Sequence, residues 1–495
     1  MGIIQKQAIK GTFYSYLGVV IGFITTAILF PRILSTNEIG LLKLLVSFSV
    51  LFAQVGSLGF KSVINRLFPY FRNYPEKHNG FIAFAMLVSF VGFLLTILAF
   101  EIYKPILIRN NIEDSRLLVE YVYLIIPLIF SVLFFNLFDA YNKVLYDTVL
   151  GAFLKEFLQR FLILVSIVLY FFDLIDFQNF VYAYIIAFFI PTVILLLILI
   201  NRGTITFRYK KEAFSKPVMR EIFIISLFGF TSGIGGMAII HIDSLLVNKF
   251  LGISMTGIYA TTFFFGTLVL IPSRPLIKIS TAILAESWKK NDLKNIDLVY
   301  SKSCINQAII AMLVFIGIWV NINNVFKILP EEFEAGKYVI FFISLANVFE
   351  MTSGVSGMII GTSRYYKLNA VFIFIFLFIL VTLNFILIPM YGLTGAAVAT
   401  AIAKLIYMFI RFILLKNKYR FQPYNYKFLL LIVVSLIAYL AGYILPEAGN
   451  FIIDIIYRSL VVLAVFTFLL LILKISEDVN SIFRDIIKKA GIGGK

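Results

Sequence analysis

Charged side chains are scarce in this sequence. Asp, Glu, Lys and Arg make up 14% of the 495 residues, whereas hydrophobic residues make up 61%. Soluble domains carry roughly a quarter of charged residues, and a soluble chain of this length would divide into domains joined by polar linkers. The sequence instead repeats apolar blocks of about 20 residues, the length that crosses a bilayer. The composition therefore excludes a soluble enzyme, a nucleic-acid-binding protein and a disordered protein.

Residues that commonly serve catalysis or bind metals are also few. Cys304 is the only cysteine, so no internal disulfide can form, and the two histidines, His78 and His241, have no cysteine nearby for a zinc site. The sequence contains neither a glycine-rich nucleotide loop ending in lysine nor a nucleophile elbow. We therefore expect no catalytic residue, no bound metal, no cofactor and no enzymatic activity. The sequence leaves open that the activity of the protein is coupled to H⁺ or Na⁺.

Fourteen apolar blocks, from Phe13–Phe30 to Phe451–Leu473, predict the fold class. Each block is a continuous apolar run, whereas the strands of a membrane barrel alternate polar and apolar residues. A helix satisfies its own backbone hydrogen bonds in lipid. The sequence therefore predicts an all-α polytopic membrane protein with 14 transmembrane helices, and its loops are too short to hold a folded catalytic domain.

Basic residues are distributed unequally between the loops. With the N-terminus inside, 32 of the 43 basic residues fall on the inner side and 8 on the outer side. Arg160, Lys404 and Arg458 lie within apolar blocks, and Arg411 is counted with the inner loop that follows the twelfth block. Because positive charge is retained on the cytoplasmic side, we expect both termini in the cytoplasm. Most of the net charge of +17 is thus an orientation signal.

Two similar stretches indicate an internal duplication. Residues 31–43 join helices 1 and 2, and residues 248–260 join helices 7 and 8. At an offset of 217 positions, four pairs are identical: Gly18 and Gly235, Leu34 and Leu251, Gly40 and Gly257, and Lys61 and Lys278. An offset that pairs helix 1 with helix 7 implies six helices in each repeat. Since six is even, the two repeats are parallel, as in transporters that rock one half against the other.

Three segments also resemble a known family. They are Leu387-Ile-Pro-Met-Tyr-Gly-Leu-Thr-Gly-Ala-Ala-Val-Ala-Thr400, Asp243…Phe250-Leu-Gly…Gly257-Ile-Tyr and Gly56-Ser-Leu-Gly59…Arg66…Pro69. They look like junctions of bacterial polysaccharide exporters, the O-antigen or capsule repeat-unit flippases of the multidrug/oligosaccharidyl-lipid/polysaccharide (MOP) superfamily. The resemblance in layout covers essentially the whole chain. It implies two parallel six-helix repeats around a central cavity, with two extra C-terminal helices.

The expected domain organisation follows this layout. Its parts are an N-lobe at 1–201 (helices 1–6), a cytoplasmic linker at 202–221, a C-lobe at 222–415 (helices 7–12), helices 13 and 14 at 416–474, and an amphipathic cytoplasmic tail at 475–495. The tail repeats apolar residues at helical spacing between charges, which is typical of a helix on the inner membrane surface.

Ionisable residues inside membrane helices are the first candidates for function, because each is costly there unless paired or wet. Lys404 lies near the middle of helix 12, roughly 16 Å from the nearest interface, so we favour a position facing the cavity over a snorkelling side chain. Glu350, in helix 10, is either a proton or sodium site or the ion-pair partner of Lys404. Glu156 and Arg160 are four residues apart on helix 5 and are interpreted as a neutralised structural pair.

A second set of candidates lies at helix ends. Basic residues occur at the cytoplasmic ends of helices 2 and 8, which the repeat makes equivalent: Lys61, Arg66, Arg274 and Lys278. Positive-inside anchoring explains them; the sharper hypothesis is a cationic mouth that captures a pyrophosphate headgroup. His241 and Asp243, near the outer end of helix 7, either relay a proton or bind sodium or, as we favour, cap the helix. Four glycines are predicted to serve hinges or close helix packing: Gly18, Gly22, Gly233 and Gly235.

These features favour a flippase that moves an undecaprenyl-pyrophosphate-linked oligosaccharide from the cytoplasmic to the periplasmic leaflet by alternating access, driven by an ion gradient or the membrane potential. Its partners would be that lipid-linked oligosaccharide, membrane lipids, and a polysaccharide polymerase and glycosyltransferases of the same pathway, with no nucleic acid. The alternatives are a cation-coupled drug antiporter of the same superfamily and a lipid-linked peptidoglycan precursor flippase. A polymerase or ligase of lipid-linked sugars is disfavoured because the external loops are short.

Overall fold

The structure is a computed structural model that describes residues 3–73, 77–206 and 214–489, and these residues form helices and connecting turns without a strand. The first eight helices are α1 (Ile3–Phe23, continued by a π-helical turn at Ile24–Leu29 and a last turn at Phe30–Ile33), α2 (Thr36–Gly56), α3 (Phe60–Phe71), α4 (Phe81–Asn111), α5 (Arg116–Glu120), α6 (Ile125–Val144), α7 (149–171, with a π-helical turn at Phe153–Leu158) and α8 (Phe177–Asn201).

The second half of the chain continues with longer runs. These helices are α9 (Lys216–Thr267), α10 (Ser273–Lys289), α11 (Leu293–Val320), α12 (Ile322–Ile328), α13 (Lys337–Thr352), α14 (Ser356–Thr362), α15 (Tyr366–Tyr419), α16 (Tyr426–Tyr443), α17 (Phe451–Ile472) and α18 (Glu477–Lys489). Short 3₁₀ turns occur at Lys77–Gly80, Val122–Leu124, Leu268–Leu270 and Glu331–Gly336.

The helices confirm an all-α, multi-pass membrane protein. Within the described residues, ten helices are long and apolar enough to cross a membrane, or eleven if α13 and α14, bent by 50°, form one span. The spans Lys216–Leu270 and Tyr366–Tyr419 have 55 and 54 residues, about 80 Å of helix, whereas the hydrocarbon layer is about 30 Å thick. Both are broken at a glycine with positive φ, Gly252 and Gly392, which favours two crossings for each. The total of 14 stays a prediction.

The chain divides into two compact units, Met1–Thr261 and Thr262–Lys495. The first unit therefore contains α1 to α8 and most of α9, and the second contains the helices from α10 onward. Helix α9 begins at Lys216, inside the expected linker at 202–221, of which residues 207–213 lie outside the described part. The predicted lobe limits remain predictions.

Within the first unit, the break in α9 packs against the start of α2 in a reciprocal way. A Cβ atom added to Gly40 would overlap the carbonyl oxygen of Ile253, and one added to Gly257 would overlap the carbonyl oxygen of Thr36. The offset of 217 converts each contact into the other. The hydroxyl oxygens of Thr36 and Ser254 also lie 2.9 Å apart. Two contacts that are equivalent in this reciprocal way are characteristic of a two-fold relation. They support the internal repeat.

The two equivalent junctions turn by different means. Before α2, the Glu38 carboxylate accepts from the Ser35 backbone N–H at 2.7 Å, and the Ser35 hydroxyl accepts from the Glu38 N–H at 3.3 Å. This capping box satisfies two backbone donors at the helix start. The position 217 residues after Ser35 is Gly252, whose φ is +83°. Glycine reaches that angle without the strain that a Cβ atom would cause.

Small residues also allow α1 to pack closely on α7. A Cβ atom on Gly18 would overlap the Glu156 carbonyl oxygen, and one on Gly22 would lie 2.6 Å from a guanidinium nitrogen of Arg160. Arg160 donates to the Gly18 carbonyl at 2.6 Å and to the Glu156 carboxylate at 3.0 Å. The expected pair thus forms, and its arginine also joins the two helices.

The glycines predicted in helix 7 lie on α9 in the first unit. A Cβ atom on Gly233 would overlap the side-chain amide of Gln54 in α2, and Gly235 is buried. At the turn between α2 and α3, a Cβ atom on Gly59 would overlap the Ser226 carbonyl oxygen. Gly233 and Gly59 therefore serve close packing between α9 and the α2–α3 segment; a hinge at Gly233 or Gly235 stays a prediction.

The tail is attached to the second unit at its start. Ile475 is buried, and Ser476 donates to the Asn306 side chain at 2.7 Å. Asp478 accepts from Lys302 at 2.6 Å and from Asn306 at 2.8 Å. The first turn of α18 is therefore docked on α11. The side chains of three further apolar tail residues, Ile482, Ile486 and Ile487, lie outside the described part, and the expected position on the membrane surface remains a prediction.

Candidate functional site

In the second unit, two pairs of polar side chains connect α13 with α15. Asn347 and Glu350 are three residues apart on α13, and Lys404 and Arg411 are seven apart on α15, so each pair lies on one helix face. Lys404 Nζ donates to Asn347 Oδ1 at 2.6 Å, and the Arg411 guanidinium donates to both carboxylate oxygens of Glu350 at 3.2 Å. Two facing helices therefore bring three charged groups and one amide together.

The position and the contacts of Arg411 differ from what the sequence predicts. The distribution of basic residues places this residue in the loop after helix 12, whereas the structure places it inside α15 with its side chain only 6% exposed. Arg411 also forms an ion pair with Glu350, and Lys404 interacts electrostatically with the same carboxylate. Arg411 further donates to the Ser353 hydroxyl at 3.1 Å and stacks on the Tyr407 ring at 4.2 Å. The missed signal was its spacing of seven residues from Lys404, which places both cations on the same face of α15.

The charges of this site do not cancel. Lys404 and Arg411 carry two positive charges and Glu350 one negative charge, which leaves an excess of one cation among these three groups. The Asn347 amide donates to the Gly266 carbonyl at 2.9 Å, which fixes its oxygen toward Lys404. In the low dielectric of a helix bundle an excess cation attracts anions strongly, so the geometry suits the binding of an anionic group beside Lys404.

A second cationic cluster lies in the first unit. Lys61, on α3, interacts electrostatically with Lys143 and Asp139 at the end of α6. Lys155, on α7, interacts with all three, and Lys143 forms an ion pair with Asp139. Three lysines therefore lie near Asp139, and Lys155 also interacts electrostatically with Glu156, which pairs with Arg160. Positive charges exceed negative charges in this group. Sequence reasoning missed Lys155 because α3 is distant from α6 and α7 along the chain, and only folding brings Lys61 close to Lys143 and Lys155.

Of the four basic residues that form the expected cationic mouth, the structure describes the side chains of two, Lys61 and Arg66. Lys61 and Arg66 are exposed, and they lie on α3, a short amphipathic helix, rather than in a loop. Helix α3 buries its apolar face, which includes Val63, Ile64 and Leu67, so the basic side chains point outward. Arg274 and Lys278 belong to α10, but their side chains lie outside the described residues. Their role remains a proposal.

His241 and Asp243 form part of a buried cluster, and the favoured helix-cap interpretation is wrong. Both lie inside α9, before its break, and contact side chains rather than a helix end. His241 Nδ1 is 3.1 Å from the Ser47 hydroxyl, and the Tyr259 hydroxyl donates to Asp243 at 3.2 Å. Lys43 interacts electrostatically with both residues. The cluster thus connects α9 to α2 within the first unit.

Metal-ligating groups do not cluster in the described part of the chain. No set of three or more His, Cys, Asp and Glu side chains there is arranged to hold a metal ion.

No protein-family model matches the sequence. One curated relative is the probable low-salt glycan biosynthesis flippase Agl15 of Haloferax volcanii, which is 25% identical over 195 residues. The match covers 39% of this chain and 41% of that protein, so the chain aligns with about two fifths of its relative's length.

Solved structures match much more of the chain. The lipid II flippase MurJ, in an inward closed conformation, superposes with a TM-score of 0.72 at 16% identity and covers 97% of this chain and 100% of its own. An inward-facing multidrug resistance MATE family transporter of the MOP superfamily has a TM-score of 0.63 at 13% identity and covers 82% and 94%. A MOP superfamily transporter from Pyrococcus furiosus has a TM-score of 0.57 at 13% identity and covers 84% and 96%.

The fold defines the class of protein. This chain is a multi-pass membrane protein with the fold of MOP superfamily transporters, as the resemblance in its sequence implied. More particularly, its fold is that of the flippase MurJ over nearly its full length. The proteins that it resembles are named as flippases and transporters.

Proposed function

We propose that this protein is a flippase for a lipid-linked oligosaccharide. It moves an undecaprenyl-pyrophosphate-linked oligosaccharide from the cytoplasmic to the periplasmic leaflet of the inner membrane by alternating access. The observation that carries this proposal is the excess positive charge of Lys404 and Arg411 over Glu350, held inside apolar helices. Charged groups in membrane helices are costly and are usually tied to a substrate or ion pathway.

The sign of the charge favours an anionic substrate. A pyrophosphate offers oxygens that lysine and arginine bind through charge-assisted hydrogen bonds, and the cluster of Lys61, Lys143 and Lys155 offers a second cationic position. An organic cation would be repelled by both clusters. This argues against the drug antiporter, although MATE transporters share the fold.

The driving force follows from the same charge. For a headgroup of charge −2, a membrane potential of 100 mV corresponds to roughly 4.6 kcal/mol, enough to give the reaction a direction. Coupling to H⁺ or Na⁺ is the other source of energy, with Glu350, His241 and Asp243 as the candidate ion-binding residues. We propose cytoplasmic termini, and a polymerase and glycosyltransferases of the same pathway as partners.

A peptidoglycan precursor flippase is the second candidate. It is favoured by one observation, the match of the lipid II flippase to 97% of this chain. Both candidates would bind a lipid-linked pyrophosphate in the same way and differ in the attached sugar. The cargo therefore has to be determined by an export assay.

The test is surface polysaccharide export in a strain that lacks this gene. Wild-type protein should restore export, whereas Lys404→Ala and Arg66→Ala should fail at equal membrane abundance. Lys404→Arg should restore part of the activity because it keeps the charge. Lys367→Ala, which removes an exposed cation at the start of α15, is the matched control and should be fully active. Full activity of both Lys404→Ala and Arg66→Ala would overturn the assignment of the pyrophosphate-binding residues, and normal export in the deletion strain would overturn the function.

A further inference from the structure

A cavity of about 480 Å³ lies in the second unit, away from Lys404 and Arg411. It is formed by the ends of α11 and α16, by α12, and by the first turns of α13 and α17. Four aromatic residues line it, Trp319, Tyr338, Tyr439 and Tyr443. With cytoplasmic termini, these helix ends lie on the outer side of the membrane. The volume falls within the range of small-molecule sites.

The aromatic residues converge on the cavity. The ring centroids of Trp319 and Tyr338 are 6.4 Å apart, and those of Tyr439 and Tyr443 are 5.7 Å apart and stacked. Tyr338 and Tyr443 remain more than half exposed. Membrane-interface belts also contain Trp and Tyr, but those residues need no common concavity. Aromatic rings that combine an apolar face with a polar edge suit ligands of mixed character, and a sugar ring offers both C–H faces and hydroxyls.

The polar wall of the cavity contains a buried acceptor. Asn324, 3% exposed, donates to Asp454 at 2.6 Å, while its own Oδ1 has no hydrogen-bond partner within the described residues. A buried acceptor without a donor is unfavourable. Asp454 is held by Arg458 at 2.8 Å, and Arg458 also donates to the carbonyl of Leu445 at the end of α16. The side chains of Asn324, Asp454 and Arg458 are therefore held by hydrogen bonds to one another and to the end of α16, which gives the cavity a polar wall beside its aromatic one.

The charged side chains that line the cavity are balanced in number, in contrast to those of the pyrophosphate candidates. Its lining contains two cations, Lys337 and Arg458, and two anions, Glu447 and Asp454. Glu447 is further paired with Lys327 at 3.1 Å. A lining without net charge does not select a phosphate or an anionic lipid headgroup. It suits a neutral ligand with many hydroxyls.

We propose that this cavity is a saccharide-binding site that receives the neutral sugar part of the substrate on the outer side of the membrane. The proposal rests on the proposed function for the presence of such a substrate and for the orientation. It assigns to α16 and α17, the helices expected as an appendage, a role in holding the glycan apart from its pyrophosphate.

Trp319 makes the site directly measurable. The chain contains two tryptophans, so Trp288→Phe leaves Trp319 as the sole reporter. The purified full chain in nanodiscs, free of sugar-based detergent, is titrated with glucose, N-acetylglucosamine, their disaccharides and glycerol 3-phosphate. We expect a saturable change in Trp319 fluorescence with at least one neutral sugar. Tyr338→Ala and Tyr443→Ala should each weaken binding at least tenfold, and Tyr391→Ala, an exposed tyrosine outside the cavity lining, should not.

Two results would overturn the proposal: no saturable response to any sugar, or saturation by glycerol 3-phosphate alone, which would indicate a lipid-headgroup site. Trp319→Phe, which leaves Trp288, should show no response, and an equal response there would also contradict the site. The export assay separates the two proposals. Export that needs this gene, without a fluorescence response, leaves the flippase standing and removes the saccharide site. A fluorescence response, combined with normal export in the deletion strain, supports the saccharide site and removes the flippase.

Discussion

Arg411→Met tests whether the Glu350–Arg411 pair holds α13 against α15. The substitution keeps an apolar chain of similar length but removes the hydrogen bonds to Glu350 and Ser353 and the stacking on Tyr407. The carboxylate of Glu350 would lose its ion-pair partner. Breaking a buried ion pair from one side costs about 3–5 kcal/mol, and we expect the lower end because Glu350 keeps 34% of its side chain exposed.

The expected loss of about 3 kcal/mol corresponds to a fall of about 6–12 °C in the melting temperature, at about 2–4 °C per kcal/mol for a unit of this size. Thermal unfolding of the purified protein in nanodiscs measures it. The double variant Glu350→Gln/Arg411→Met removes both charges and should recover much of the loss, because no unpaired charge remains. Lys367→Met, at an exposed position, should stay within about 0.5 kcal/mol of the wild type.

Two outcomes would refute this reasoning. If Arg411→Met melts close to the wild-type temperature, the pair does not contribute to stability. If the double variant is less stable than Arg411→Met alone, the loss comes from packing around the arginine rather than from the unpaired carboxylate.

Two further predictions concern packing and the tail. Gly18→Ala should lower the melting temperature, because overpacking costs about 1–3 kcal/mol. Gly11→Ala should not lower it, because a Cβ atom at Gly11 meets nothing within 4 Å. Equal effects of the two substitutions would contradict the contact between α1 and α7. The hydrogen bond from Lys302 lowers the pKa of Asp478, so the attachment of α18 should be present at neutral pH and lost as the pH falls below about 4. A spin label at the exposed Ser481 should become mobile in acid, and in the Asp478→Asn variant the same label should already be mobile at neutral pH. Unchanged mobility of the label in both cases would exclude the docking of α18 on α11.

Sequence patterns predicted features that depend on neighbours along one helix. The pair Glu156 and Arg160 forms as expected because residues four apart share a helix face, and the apolar blocks correctly predicted a helical membrane protein because length and composition suffice for that inference. The candidate role of Lys404 also arose from its position alone. These are local properties, and a single helix determines them.

Features that depend on two helices were less predictable. The position of Arg411 was misjudged because its distance from the block end resembled that of a loop residue, while its actual partner lies on another helix. The group formed by Lys61, Lys143 and Lys155 joins three helices, and no spacing in the sequence relates them. His241 was expected at a helix end because the length of α9, which continues to the break at Gly252, is not visible in composition.

The reciprocal contact at Gly40 and Gly257 has a consequence for how the chain can vary. In a symmetric homodimer one substitution would change both copies of such a contact at once. In a single chain that carries both copies, each can change alone. The two turns show this independence: one is closed by the side chains of Ser35 and Glu38, and the other by the backbone freedom of Gly252. A chain built in this way can give its two equivalent junctions different turns without losing the contact between them.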